Sequence, residues 1–259
     1  MDQSLLVKIF GHPATLFHSD STVVDRWLWI KSKLPITRDG EALIDIGCGT
    51  GAFTIGSALR GYKALGLSWD DRNQRVAKER SEICKADMAT FEVQDVRLLD
   101  EREDLYQSFD IAICIENIEH IIDDRKLFKE VALCLKPGGR LLLTAPYYFQ
   151  RPVTSSDRGP FRKITEDGGH VRRGYTEAML VELCDDSNLL VENISYCTGF
   201  FSQKITALYR LISRIHPFLA WVVILPLRIL PFVFDKAIEK IFKWPGLSIC
   251  MEAYKPRFN

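Results

Sequence analysis

Between residues 41 and 146 short apolar runs alternate with longer amphipathic stretches, the pattern of βα units whose strands are buried on both faces of a parallel sheet. The runs 41–47, 63–68, 90–96, 109–117 and 140–146 read as the first five strands. Helical spacing fills 51–60, 71–85, 98–107 and 123–135, and Lys136-Pro-Gly-Gly139 stops the last of these. Thr176 offers an N-cap to a helix over 177–187, although Met179 stands where a full capping box requires an acid or amide. Strands follow at 189–197 and 247–254, separated by an unusually long connection rich in Leu, Ile and Phe. Upstream, helical spacing over 22–34 sets Val23, Val24, Trp27, Ile30 and Leu34 on one side. An arm carrying Phe10, His12, Phe17 and His18 precedes it and reads as a lid or as a packed tail.

The first strand ends in Gly47-Cys-Gly-Thr-Gly51, with Asp45 two places ahead of the first glycine. Gly47, Gly49 and Gly51 tolerate positive φ and carry no Cβ, so the backbone can approach a ligand closely where a helix begins. A dinucleotide fingerprint would read G-x-G-x-x-G with an acid about 20 residues later. Here the spacing is G-x-G-x-G and the acid comes first.

Leu43-Ile-Asp-Ile-Gly-Cys-Gly-Thr-Gly51 resembles motif I of the class I S-adenosylmethionine-dependent methyltransferases. Phe109-Asp-Ile-Ala-Ile-Cys-Ile-Glu-Asn-Ile-Glu-His120 and the run from Leu127 to Pro146 are similar to motifs IV and V of the UbiE/UbiG-like branch, in the right order and spacing. The resemblance implies an α/β fold: a doubly wound, seven-stranded, mostly parallel Rossmann-like sheet of strand order 3-2-1-4-5-7-6. It also implies S-adenosylmethionine as cofactor. In such enzymes the glycine turn, here with Asp45, faces the methionine part. Asp95 and the Val96 backbone match the adenine position, with capping of the next helix as the alternative for Asp95, and Glu116 falls where the fourth strand passes the methionine moiety. The family's G-x-D-x-S aligns on Ala64-Leu-Gly-Leu-Ser68, which puts Gly66 where the ribose-binding acid usually stands. Ribose contact then passes to Ser68, Trp69, Asp70 or Gln74, unless Asp70 is an N-cap.

Methyl transfer from a sulfonium needs mainly an aligned nucleophile and, where necessary, removal of its proton. Glu119 and His120 follow the fourth strand at the carboxyl edge, where open α/β sheets bind ligands, and imidazole changes charge near neutrality. His120 is the first candidate base; a packed or capping histidine is the alternative. His170 is the second, because the segment 147–174 leaves the same edge, and Tyr147 and Tyr148 open that segment as candidate acceptor contacts. Glu116-x-x-Glu119-His120 also resembles the metal-binding E-x-x-E-H of ubiquinone-type O-methyltransferases and small-RNA 2′-O-methyltransferases. Relatives without a metal carry the pattern too, and no metal is expected here.

Charge and cysteines narrow the field. Lys plus Arg and Asp plus Glu each number 34, without a like-charged run, so nucleic acid is not an expected partner. Seven cysteines without a C-x-x-C pair suggest neither a disulfide framework nor a thiolate zinc site. With no basic, apolar leader at the N-terminus, a cytoplasmic protein is expected. The run Phe218 to Phe234 is short for a bilayer span and is broken by Pro226, Arg228 and Pro231. Its place between the last two strands suggests a lid over an apolar acceptor, with Trp221 against it. Extra core, a dimer interface or peripheral membrane docking aided by Arg210, Arg214, Lys236, Lys240 and Lys243 are the alternatives.

The expectation is one domain over 1–259, with an N-terminal helical arm at 1–40, a cofactor-binding core at 41–146 and substrate-covering insertions at 147–174 and 200–245. It methylates O or N of a hydrophobic small molecule: a secondary metabolite, an isoprenoid or a lipid-linked acceptor. The rivals are metal-assisted O-methylation of a catechol or sugar, and a non-catalytic cofactor-binding or membrane-associated subunit. Oligomeric state stays open.

Overall fold

The apolar runs become strands, buried on both faces at the centre of the sheet. β1 (Ala42–Ile46) sits in the middle of a sheet with β2 (Lys63–Ser68), β3 (Ala89–Val93), β4 (Phe109–Ile115), β5 (Leu135–Pro146), β6 (Leu190–Cys197) and β7 (Ser248–Tyr254). The order is β3-β2-β1-β4-β5-β7-β6, as the resemblance implied. Neighbours among β1 to β5 run parallel, and β7 runs antiparallel to both β5 and β6. The computed structural model describes residues 3–17, 21–161, 166 and 168–257; His18 and Asp167 lie outside them, and so does the side chain of Phe17.

Ten α-helices occur among the described residues: α1 (Gln3–Phe10), α2 (His12–Phe17), α3 (Ser21–Lys33), α4 (Ala52–Ala58), α5 (Asp71–Ile83), α6 (Asp124–Cys134), α7 (Glu177–Asp185), α8 (Phe200–Ser213), α9 (Pro217–Ile224) and α10 (Ile229–Phe242). Alternation along β1 divides the core. Ile44 and Ile46 join Leu127, Phe128 and Val131 of α6 and Leu180 and Leu183 of α7. Leu43 packs on the other face, with Trp27 and Ile30 of α3, Ile55 of α4 and Ala77 of α5. The stripe expected on α3 is buried at Val24, Trp27, Ile30 and Leu34. Thr176 caps α7 by accepting from the Met179 N–H at 3.2 Å.

Two expectations change, and for His12 one of two alternatives holds. Residues 98–107 form no α-helix: 3-10 turns occupy Val96–Glu101 and Glu103–Leu105, with Leu98 outside helical φ/ψ. Only Leu99 and Leu105 of this segment go into the core, too few apolar anchors to hold a longer helix. Lys136-Pro-Gly-Gly139 lies inside β5 rather than ahead of it, because Leu135 already pairs with Phe109 before a register shift. His12 packs as part of the tail instead of hanging over the sheet edge: its Nε2 lies 2.9 Å from the Ala52 carbonyl, its ring meets Trp27 edge-on, and burial lowers its pKa.

Candidate active site

β1, β2 and β4 end together at the carboxyl edge, where Gly47, Gly49, Ser68, Trp69, Asn73, Asp95, Val96, Glu116, Asn117 and His120 line a cavity of about 310 Å³. Gly47, Gly49 and Gly51 all hold positive φ. Their reasons differ. A Cβ on Gly47 would meet Asn117 at 2.5 Å and one on Gly51 would meet Ala77 and Phe91 at 2.8 Å, whereas a Cβ on Gly49 would meet nothing within 4 Å. Gly49 alone keeps its missing side chain for the cavity; Gly47 and Gly51 keep theirs for the protein.

Asp45 does not reach this space. Its side chain is 1% exposed beneath the turn and accepts from Thr54 Oγ1 of α4 at 2.6 Å, which ties strand to helix. Burial pushes its pKa up to about 7. The folded chain therefore keeps a proton on Asp45 that the unfolded chain loses near pH 4, so stability falls as pH rises from about 4 through 7. Asp45→Asn keeps the acceptor and cannot ionise. In denaturant melts the wild type is expected to lose ~2 to 4 kcal/mol more than this variant between pH 5 and pH 8. Equal losses would show that Asp45 carries no such cost.

The second strand sorts the ribose candidates. Gly66 pairs with Asp45 in the middle of the sheet, and a Cβ there would meet Thr54, Cys48 and Phe91 within 2.9 Å. Ser68, two residues on and on the same face, ends β2 and lines the cavity with Trp69. Asp70 is an N-cap, accepting from the Arg72 and Asn73 N–H groups, and Gln74 is buried, donating to the carbonyls of Gly66 and Glu92. Ser68 thus offers the cavity a hydroxyl at the end of β2.

Asp95 lines the cavity and also caps. It accepts from the Arg97 N–H at 3.0 Å and from the Arg97 guanidinium, which holds its pKa below the usual carboxylate range. Arg97 reaches on to Glu166 at 2.7 Å, so Glu166 is tied to the cavity wall beside Asp95. Glu116, at the end of β4, has φ +48°, a region that costs a non-glycine residue ~1 to 2 kcal/mol. Its backbone N–H donates to Thr144, and its carboxylate accepts from Thr144 Oγ1 at 3.1 Å and pairs with Arg26 at 2.9 Å.

A second cavity of about 370 Å³ opens beside the first, and Glu116 and His120 line both. Its wall takes Thr22 and Arg26 from α3, Asp157, Phe161, His170 and Arg173 from the 147–174 segment, and Arg210 from α8. Glu119 is buried there. Its Oε1 lies 3.8 Å from His120 Nε2 and 4.0 Å from His170 Nε2, and the two imidazoles meet edge-on at 4.8 Å. Burial, with the Glu116 charge second, raises the Glu119 pKa well above its ordinary value. Burial and the neighbouring His120 lower His170 to about 4, so it is neutral at pH 7. The Val171 N–H donates to the Glu119 carbonyl, Tyr175 OH donates to Asp124 and Arg172 pairs with Asp124; together these hold His170 beside the β4 turn.

Not every expected residue arrives. Tyr147 packs edge-on against Tyr196, Tyr148 sits under the Arg173 guanidinium, and neither lines the glycine-turn cavity or the second one. Trp221 belongs to α9 and lines neither of the two cavities, and of 200–245 only Arg210 is on the wall of either. Arg26, Arg97 and Arg173 went unnoticed in the sequence. Each is a single cation on a polar helix face or loop, and no motif marks it.

The methyltransferase domain family matches residues 44–143. Residues 44–143 are thus a methyltransferase domain. The ubiquinone biosynthesis O-methyltransferase of Coxiella burnetii is 31% identical over 109 residues, which is 42% of this chain and 45% of that one. The chain thus aligns with less than half the length of that relative. Phosphoethanolamine N-methyltransferase 2 of Haemonchus contortus, in complex with S-adenosyl-L-methionine, superposes with a TM-score of 0.61 at 20% identity, over 89% of this chain and 52% of that one. Geranyl diphosphate C-methyltransferase of Streptomyces coelicolor A3(2), in complex with Mg²⁺, geranyl diphosphate and S-adenosyl-L-homocysteine, gives 0.59 at 15%, over 89% and 76%. These likenesses show the fold. The methyltransferase domain spans the glycine turn, Asp95 and the Glu116 to His120 turn, but α3, the 147–174 segment and α8, which build the second cavity, lie outside it.

Among the described residues Glu119, His120 and His170 form the one group fit for a metal ion, their ligand atoms within 4.8 Å of one another. Glu119 Oε2 and His120 Nδ1 are buried without a hydrogen-bond partner among them.

Proposed function

We propose that this chain transfers the methyl group of S-adenosylmethionine to an oxygen or nitrogen of a small molecule held in the second cavity. One observation carries the reading: the two cavities meet at Glu116 and His120. The glycine turn and Glu116 would hold the methionine end, Ser68 and Trp69 the ribose, and Asp95 with Val96 the adenine. The open space above Gly49 fits such a ligand. The bound cofactor supplies a methyl on a sulfonium, already electrophilic. His120, on the shared wall, takes the acceptor's proton as the nucleophile attacks. His170 and Glu119 hold the imidazole in place.

An amphiphilic acceptor fits the wall. Val153, Phe161 and Leu247 offer an apolar side, and Arg173 with the ion pairs Arg26–Glu116 and Arg210–Asp157 a charged one. An isoprenoid or lipid-linked molecule with a polar head meets both better than a wholly apolar one. Incubating the protein with methyl-labelled cofactor and small-molecule extracts of its source should put label into an amphiphilic product. Label in no small molecule, with the cofactor bound, would favour the non-catalytic subunit.

A second reading has its own observation, the unpartnered Glu119 Oε2 and His120 Nδ1 beside His170. In it a divalent ion on these residues orients an acceptor hydroxyl, and two imidazoles with one carboxylate suit zinc, iron or manganese more than magnesium. Activity lost to a chelator and restored by one of these ions would select it.

A further inference from the structure

The insertion between β6 and β7 packs on the domain mainly through its first helix. α8 packs on α3, and α9 and α10 pack on α8. In α9 only Ala220 and Ile224 are fully buried, and α10 buries no residue. Phe218, Ile229, Phe232, Ile241 and Phe242 are between 51% and 70% exposed. Scattered exposed apolar residues are ordinary, whereas so many along two consecutive helices mark a surface made for something else.

The orientation is set by Asp235. Its carboxylate accepts from the Phe201 N–H at 2.6 Å and the Ser202 N–H at 3.3 Å, so this side of α10 is turned toward the start of α8. Val233 and Ile241 lie well round the helix from Asp235 and are left outward. Charge points the same way. From Gly199 to Pro245 there are seven Lys and Arg residues against two acids, in a chain of zero formal net charge. Arg214, Lys236, Lys240 and Lys243 are exposed beside the apolar face.

We infer that α9 and α10 dock this protein on an anionic lipid bilayer, lying in its interface. Apolar side chains enter the acyl boundary and the flanking cations meet lipid phosphates. Neither helix crosses alone, although the bent pair together is long and apolar enough by composition. α10 has 14 residues, about 21 Å of helix against a hydrocarbon core of about 30 Å. It is bent by 43° from Phe218–Ile224 and carries Asp235, Lys236, Glu239 and Lys240. No single helix among the described residues is long and apolar enough to span. α8 connects this surface to the second cavity through Arg210, which places an acceptor drawn from the bilayer within reach. The docking itself does not depend on methyl transfer.

Flotation of the full chain with vesicles tests it. Wild type should float with phosphatidylcholine vesicles containing phosphatidylglycerol and much less with phosphatidylcholine alone, and added salt should weaken the binding. Replacing Lys236 and Lys240 by Gln should lower partition into anionic vesicles ~10-fold or more. The pair Phe232→Ser and Ile241→Ser, at exposed positions, should lower it by a similar factor while leaving far-UV circular dichroism and cofactor binding unchanged. Wild type that ignores both vesicle types overturns the inference. So does a dimer that the serine pair dissociates while vesicles stay unbound, which would make a second copy the occupant.

Discussion

Gly49→Val is expected to weaken S-adenosylmethionine binding by more than ~100-fold, about 2.7 kcal/mol, while the protein stays folded. At Gly47 and Gly51 a side chain would strike Asn117, Ala77 or Phe91, and lost binding there could be damage to the turn. At Gly49 a new Cβ meets no protein atom within 4 Å beyond its chain neighbours. Its φ of +52° disfavours a branched side chain, and that strain, ~1 to 2 kcal/mol, lowers the melting temperature. Because the strain is present with and without ligand, it leaves affinity largely alone. Filling the cavity does not. Calorimetry on the folded variant, with Gly49→Ala as the smaller step, separates the two effects. Binding within about threefold of wild type would mean that the ligand does not approach this turn.

His120→Ala should lower kcat by ~100-fold or more and leave cofactor affinity within about threefold. The residue lines both cavities, but its Nε2 lies 3.8 Å from buried Glu119 and its ring meets His170, so it is held on the acceptor side of the shared wall. Loss of kcat with affinity retained marks a group that acts on the acceptor in the transition state. A chelator separates its two proposed roles. If His120 is a base, wild-type activity survives chelation; if it is a ligand, chelation matches the effect of the substitution. Unchanged kcat would reduce His120 to packing.

What was legible in the sequence follows from burial. Parallel strands covered on both faces must be apolar throughout, so Leu43-Ile-Asp-Ile and Phe109-Asp-Ile-Ala-Ile announced β1 and β4 directly. Where a segment has few core anchors, as over 98–107, spacing alone overstated a helix. The ribose position shows a subtler limit. Gly66 and Ser68 lie on the same face of β2, so a two-residue slip leaves the alternation unchanged and only the strand's end distinguishes them. Asp45 and Asp95 carry the same side chain near two strand ends, yet Asp45 is sealed under the turn by Thr54 and Asp95 opens on the cavity, a difference made by neighbours from other elements. Arg26 reaches Glu116 from 90 residues away, and Trp221 lies on α9 clear of both cavities; neither placement is written in local pattern.

Trp69 provides the most direct test that the glycine-turn cavity is the cofactor site, because it is 64% exposed and lines that cavity beside Ser68. Titrating S-adenosylmethionine or S-adenosylhomocysteine into the wild type, with heat and tryptophan fluorescence recorded together, should give saturable one-to-one binding with a fluorescence change. Trp69→Phe should keep most of the heat and lose the fluorescence change. Neither heat nor a fluorescence change at millimolar cofactor, where even a binding energy of about 4 kcal/mol would register, would contradict the account.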